Sequence, residues 1–369
     1  MTVSTNTALE FEIDSSSEKI LYISLTNGAG GAEQILLMSA RVTRGDLLFL
    51  KQVRTSGLLV NDTDPPIRYL NSRSIFMGFI VLLKELLKYR KDYIIISSHP
   101  YLNAYLGILK RVGFLRSKLV TRECTSVFLR FKGFKRLSYK ILYTLGYPAI
   151  DLFICQTNEM KAQLLNNLSF LTDQKVKVFH NPVDQRLLKL NSMARVDDPI
   201  LDEKFICSAG RLIPLKGYDI LIKAFEAIAA KHTDIKLLIL GEGPERERLE
   251  ELVKSLQLDG KVILKGFVSN PFPYFKQAAI CVVSSIQEGF PNVLLQMMTL
   301  NESVVSTLCA DGIDAFKSVV QVKPNDIMSL SKALEERLTF NKTEKNENLQ
   351  YISDRSPENF SRLILSNVK

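Results

Sequence analysis

The sequence predicts an α/β protein made of two doubly wound domains whose parallel sheets face a central cleft. Three observations predict it. Short apolar runs of strand length alternate with amphipathic runs of helical period along most of the chain, the order that builds parallel sheets with helical crossovers. At 369 residues the chain is too long for one ordinary core, so two domains are expected. The alternation also breaks once, at a polar tract after Pro182, and then restarts with a clearer rhythm.

In order, "MTVSTNTALEFEIDSSSE" lacks a basic start and an apolar centre, so residues 1–18 are expected to be a disordered polar leader and not a signal peptide. "KILYISL" is the first strand, "TNGAGG" its turn and "AEQILLMSARV" the helix that follows. The longest apolar run, "IFMGFIVLLKELL", is interrupted by Lys84 and Glu85. It falls short of the roughly 18–20 residues a membrane span needs and reads as a helix. "DYIIISSH", "KLVTRE" and "DLFICQT" are buried-type strands, and "KVKVFHNPVD" closes the first half. After the tract "QRLLKLNSMARVDDPILDE" come strand "KFICSAG", helix "YDILIKAFEAIAAKH", strand "IKLLILG" and helix "PERERLEELVKSL". "KVILKGFV", helix "PYFKQA", strand "AICVVSS", helix "PNVLLQMMTL" and strand "SVVST" complete the rhythm. In "DRSPENFSRLILSN", Ser356 suits an N-cap and Pro357 the first helical position. The expected organisation is a first Rossmann-like domain over 19–185, a linker over 186–203 and a second Rossmann-like domain over 204–345. A C-terminal helix within 346–369 is expected to return to the first domain. Ligands of such sheets lie at the carboxyl ends of the strands.

Composition narrows the class. The chain is 46% hydrophobic and 24% charged, which excludes wholesale disorder. Its five cysteines are scattered with no metal-site spacing, and a reducing cytoplasm fits them. The net charge of +9 is concentrated: residues 103–150 hold ten Lys/Arg against one acid, Glu123. A solvated basic face explains this as well as an anionic partner does. Aromatics alternate with the charges in "FLRFKGFKRLSYK", a pattern that suits an anionic membrane surface better than base stacking, so nucleic acid is not expected.

The loops that follow strands carry the candidate chemistry. "GRLIPLKG" puts Arg211 and Lys216 on one short loop entering a helix, and two fixed cations with a helix N-terminus suit a diphosphate; two exposed cations at a turn is the plainer alternative. "NGAGGAE" is a glycine-rich turn but not the dinucleotide fingerprint, since Glu33 stands where a glycine is required. In "SIQEGFPN", Glu288 ends a buried strand beside Gly289, and Pro291 suits the start of the next helix. A carboxylate there accepts hydrogen bonds from ligand hydroxyls while the N–H groups of Gly289, Phe290 and Asn292 donate, an arrangement suited to a sugar. "DTD", Asp62 to Asp64, precedes two prolines with no partner acids nearby and is not expected to hold a metal.

Taken together, "GRLIPLKG", "LILGEGPERERLEEL", "GFVSNPFPYFKQA" and "SSIQEGFPNVLLQMM" resemble glycosyltransferase family 4, of the GT-B fold, in order and spacing, with "NGAGGAE" and "HNPVD" as markers in the first half. The resemblance runs from about Ile20 to Ser306. It implies a retaining, metal-independent hexosyltransferase with no cofactor, taking sugar from a nucleotide diphosphate sugar bound to the second domain to an acceptor held by the first. Arg211 and Lys216 would hold the diphosphate, and Glu288 would meet the donor sugar's hydroxyls. Gly289, Phe290, Asn292 and Val293 would orient that sugar, and Gly210, Phe267 and Val268 would border the nucleotide. Gly30 and Gly31 would border the phosphates from the first domain, where His99 would approach the transferred sugar. Arg122 and Glu123 are acceptor-side candidates. The acceptor would be a glycan or lipid-linked glycan of surface polysaccharide or lipopolysaccharide synthesis, at the inner face of the cytoplasmic membrane.

Two departures stand out. Gln296 occupies the position where the family usually carries a second glutamate, eight residues after the first, on the ribose diol. A neutral hydrogen bond contributes about 0.5–1.5 kcal/mol against about 1.5–3 kcal/mol for a charged one, so weaker nucleotide binding is expected, not a dead site. "TLCADGIDAFKS" replaces the family's usual glycine-rich loop. An epimerase or hydrolase of the same fold, or a non-catalytic glycan-binding partner, are the alternatives that these departures leave open.

Overall fold

The computed structural model describes residues 19–28, 30–53, 57–58, 60, 63–70, 74–339 and 352–368; the leader and Asp62 lie outside them. The first sheet contains β1 (Lys19–Thr26), β2 (Asp46–Lys51), β3 (Ile67–Tyr69), β4 (Tyr93–Ser97), β5 (Lys118–Glu123), β6 (Leu152–Cys155) and β7 (Val176–Val178). Its order is β3-β2-β1-β4-β5-β6-β7, every pairing parallel, with Leu21 of β1 facing Asp46 on one side and Ile95 on the other. Helices α1 (Gly31–Thr43), α2 (Ile75–Glu85), α3 (Pro100–Arg111), α4 (Val127–Arg130), α5 (Gly133–Gly146) and α6 (Asn158–Asn167) complete this half.

After α7 (Gln185–Asn191) the second sheet holds β8 (Lys204–Ala209), β9 (Ile235–Leu240), β10 (Val262–Gly266), β11 (Ile280–Val283), β12 (Val304–Thr307) and β13 (Val320–Val322). Its order is β10-β9-β8-β11-β12-β13, again all parallel. The helices here are α8 (Tyr218–Lys231), α9 (Arg246–Ser255), α10 (Phe272–Gln277), α11 (Asn292–Leu300) and α12 (Ile327–Leu338), and α13 (Pro357–Val368) ends the described chain.

Both faces of each sheet are covered, which is why its strands read as continuous apolar runs instead of alternating ones. One face of the first sheet packs Leu82 of α2, Leu102 and Leu106 of α3, and Tyr139 and Tyr143 of α5. On the other, Ile35, Leu36 and Ala40 of α1 meet Phe360, Ile364 and Leu365 of α13, so the last helix belongs physically to the first domain. Ser356 Oγ accepts from Asn359 N at 3.1 Å and caps that helix. The tract expected as a linker contains α7, whose Leu188 is buried in the second domain's core together with Ile200. Its polar residues face outward, which hid the helix. Among the described residues no helix is long and apolar enough to cross a membrane.

Each sheet reverses its winding once. In the first sheet the switch lies between β1 and β4, and in the second between β8 and β11. Loops leaving strands at such a point diverge and open a crevice. The four loops concerned carry the glycine-rich turn, His99, the Arg211–Lys216 segment and Glu288.

Candidate active site

The wall on the second domain is built by two loops stitched together through main-chain bonds. Gly210 N donates to Leu240 O and Leu212 N to Glu242 O, both at 2.9 Å, and buried Leu212 anchors the segment. Ile213 N closes onto Arg211 O at 2.8 Å, and Pro214–Lys216 forms a single 3-10 turn. Gly217 then takes φ 62°, where only glycine is at ease, and a Cβ there would run into Ser284 O. That approach lets Ile286 N donate to Leu215 O at 2.8 Å and Ser284 Oγ to Lys216 O at 2.9 Å.

The result places Lys216 against the second loop. Its Nζ lies 2.8 Å from Glu288 Oε1, to which Ser285 Oγ also donates at 2.5 Å. Glu288 N is held by Cys309 O at 2.8 Å. Arg211 is exposed and has no ion-pair partner among the described residues. Arg211, Lys216 and Glu288 line one cavity of about 150 Å³ together with Gln287 and Gly289, and the first domain closes it with Cys124, Thr125, Ser126 and Arg130. Among the described residues the lining thus includes three cationic residues and one acidic residue, with the Arg130 guanidinium lying 5.4 Å over the ring of Phe131. Arg130, on α4, escaped the reading of the sequence because it stands in a run of similar charges.

Beside the cavity the domains meet along a polar seam. Asn292, the first residue of α11 after Pro291 as N-cap, donates to Gly31 O at 3.0 Å and accepts from Asn181 Nδ2 at 2.6 Å. Asn181 in turn accepts from Arg122 at 2.9 Å. Gln296 donates to Gln34 across the seam at 3.1 Å. The loop that departs from the family pattern contributes too, since Asp311 accepts from Glu159 N at the start of α6 at 2.9 Å. A Cβ on Gly289 would stand 2.6 Å from Cys124 O and 2.8 Å from Met160 Cε, so this glycine permits the close approach.

His99 stands at the N-cap position of α3 with its side chain turned elsewhere: Nε2 lies 2.7 Å from Glu33 Oε1 and 3.0 Å from Ser24 Oγ. Burial works to raise the Glu33 carboxyl. The bonds and charge of His99, with the hydroxyl of Ser24, outweigh burial and hold it below its ordinary range. Glu33 is the residue that disqualified the dinucleotide fingerprint, and the pairing with His99 is what occupies it.

The remaining candidates fall in different places. Gly31 lies at the seam with Gly30 just before it, His99 pairs with Glu33 within the first domain, and these three do not line the cavity. Phe267 is exposed just past β10, with Val268 partly buried next to it. Phe290 and Val293 pack into the second domain's core, Phe290 beneath the guanidinium of Arg355 at 5.5 Å; only the backbone around them can serve a ligand. Arg122 and Glu123 are 1% and 2% exposed. The Arg122 guanidinium lies 5.7 Å over Phe360, and Glu123 accepts from Tyr147, Tyr143 and Asn103. Burial raises the Glu123 carboxyl despite those bonds. Both residues are therefore supports of the first domain and do not present their heads to an acceptor. Asp64 is paired with Arg41 at 2.6 Å.

Residues 194–354 match the family model described as "Glycosyl transferases group 1". The chain is 32% identical over 297 residues to the N-acetylgalactosamine-N,N'-diacetylbacillosaminyl-diphospho-undecaprenol 4-alpha-N-acetylgalactosaminyltransferase of Campylobacter jejuni, covering 76% of this chain and 78% of that one. It is 24% identical over 255 residues to the capsular polysaccharide biosynthesis glycosyltransferase CapM of Staphylococcus aureus, covering 65% and 66%. Among solved structures, Anabaena HepE in complex with UDP and glucose superposes with a TM-score of 0.76 at 18% identity, over 95% of this chain and 98% of that one. That likeness concerns the fold.

Proposed function

The chain belongs to the group 1 glycosyltransferases, and from that premise we propose that it moves a hexose or N-acetylhexosamine, with retention, from a nucleoside diphosphate sugar to a lipid-linked glycan. The observation that carries the proposal is the convergence of Arg211, Lys216 and Glu288 on one cavity between the domains. Breaking a sugar–phosphate bond builds negative charge on the diphosphate. Fixed donors aimed at that charge are worth about 2.7–4 kcal/mol each in a water-poor cleft. Arg211 and Lys216 supply such donors, so the leaving group needs no divalent cation in this scheme.

Glu288 has two duties here. It holds Lys216 at 2.8 Å; with donor bound, the ammonium would be shared with the diphosphate while the carboxylate receives sugar hydroxyls. Retention is supported by the cavity's inventory. Inversion calls for a carboxylate free to deprotonate the acceptor, and among the described residues the one carboxylate lining this cavity is already engaged by Lys216 and Ser285. Arg130, on the opposite wall, replaces Arg122 and Glu123 as the acceptor-side candidate, suited to a phosphate of the acceptor. The lipid-linked acceptor is supported by the name of the Campylobacter relative, which acts on a diphospho-undecaprenol glycan. A role in surface polysaccharide assembly has the same kind of support from CapM.

The test is to incubate the purified chain with a panel of UDP-sugars and an undecaprenyl-diphosphate glycan, following both the lipid and the free nucleotide. Transfer with retained anomeric configuration is expected. Isomerised sugar without transfer would indicate an epimerase, and neither product a binding protein; both results contradict the proposal.

A further inference from the structure

The first domain carries an apolar face that the fold leaves uncovered. α5 buries Tyr139, Tyr143 and Gly146, and it leans so closely on α3 that a Cβ on Gly146 would meet the Ala104 backbone. On its opposite side, Phe134, Leu137, Ile141 and Leu145 fall within an arc of about 80° at 3.6 residues per turn. All four are exposed, Phe134 by 86%. α2 repeats the arrangement. Gly78 and Leu82 are buried, while Phe76, Ile80 and Leu83, with Leu87 in the turn that follows, form a second exposed stripe; Phe76 is 75% exposed.

The two stripes belong to one surface. α2, α3 and α5 lie side by side over the same face of the sheet, linked by the rings of Phe79 and Tyr105 and by those of Tyr101 and Tyr139. Both stripes therefore point away from the sheet in the same sense. Apolar residues scattered singly over a surface need no explanation, but two parallel rows of four do.

Charge identifies the occupant. Residues 127–150 contain Arg130, Lys132, Lys135, Arg136 and Lys140 and no acid at all. A surface that is apolar along two helix crests and cationic beside α5 complements a layer with acyl chains beneath anionic headgroups. We propose that the crests of α2 and α5 dock on an anionic lipid bilayer, with the two apolar stripes at the acyl boundary and the flanking lysines and arginines at the headgroups. This stands independently of the transfer reaction. Because α4 runs directly into α5 and its Arg130 lines the cavity, docking would also set the cleft next to the membrane.

The test is co-sedimentation of the full chain with vesicles of phosphatidylcholine alone or mixed with phosphatidylglycerol. Two variant pairs, Phe134→Ser with Ile141→Ser and Phe76→Ser with Ile80→Ser, change only exposed positions, and thermal melts check that they remain folded. The wild-type chain is expected to partition at least about tenfold better onto the anionic vesicles, and each pair to lose about tenfold or more. Lys135→Glu with Arg136→Glu should remove the preference for anionic lipid. Raising NaCl from about 0.1 M to about 1 M should weaken that preference as well. Absence of wild-type partitioning, or variants that partition like the wild type, overturns the proposal. So does a wild-type dimer in sedimentation velocity that the serine variants dissolve without any vesicle binding, which would assign the face to a second copy.

Discussion

Arg211 and Lys216 share a loop but are prepared differently. Lys216 is already committed to Glu288, whereas the Arg211 side chain has no ion-pair partner among the described residues. Arg211→Ala is therefore expected to lower kcat by roughly 10²-fold with an unchanged melting temperature. Lys216→Ala should cost as much in kcat and also leave Glu288 without its ion pair, which steady-state kinetics and thermal melts would show together. Activity within a few-fold of wild type in either variant would contradict their role. Glu123 gives a prediction of another kind. Its folded-state carboxyl titrates above the ordinary 4.5 because it is buried. Its share of stability is thus fully present below pH 4.5 and is lost as the pH rises through the folded-state value. Glu123→Gln, which never ionises, should be more stable than wild type near pH 8 and gain nothing near pH 4. A melting difference that ignores pH would refute this. Residue type and loop position singled out Arg211, Lys216 and Glu288 in the sequence, and the three line one cavity. The same signals placed Arg122 and Glu123 at an acceptor, because nothing in the sequence shows that polar groups at the end of β5 turn inward to Asn181, Tyr143 and Tyr147.

At the scale of elements, the site follows from winding. The four loops that matter leave β1, β4, β8 and β11, the strands flanking the two switch points. Strands followed by a helix were readable as apolar runs before an amphipathic stretch. β2 has such a run in "DLLFLK", but among the described residues no helix separates it from β3, so the strand–helix rhythm fails there. β3 and β13 are only three residues long, too short for a run to register. α12 buries only Leu330, Ala333 and Leu334, a weak stripe in a polar sequence. Helix packing supplies the prediction at this scale. Gly146 of α5 and Gly107 of α3 face each other, and a Cβ on either would collide with the other helix's backbone. Gly146→Ala should destabilise the chain by about 1–3 kcal/mol through overpacking, measured by denaturant unfolding, and should shift α5 outward. A wild-type midpoint would mean that the helices yield more easily than their contact suggests.

For the whole molecule, the described arrangement is a closed one. A cavity of about 150 Å³ is smaller than the roughly 300–1,000 Å³ of typical ligand pockets, so if a nucleotide sugar binds as proposed, the domains are expected to part to admit it. The seam is suited to that, since it rests on a few polar bonds from Asn292, Gln296 and Asp311. Gly289 is the point where closure has no slack. Gly289→Ala should hold the domains apart by a fraction of an ångström to an ångström and lower kcat by roughly 10- to 100-fold. The melting temperature should hardly move, and small-angle scattering with UDP should report a wider molecule than wild type. Wild-type turnover would show that closure does not pass through this contact. The motifs put the Arg211–Lys216 and Glu288 loops on one site, but no sequence pattern shows that residues 124–126 and Arg130 close it, because that depends on how two sheets are set against each other. The most direct measurement is a crystal structure with an intact UDP-sugar. The account predicts its diphosphate within hydrogen-bond distance of Arg211 and Lys216 and a sugar hydroxyl on Glu288; a diphosphate bound away from those three side chains would contradict it.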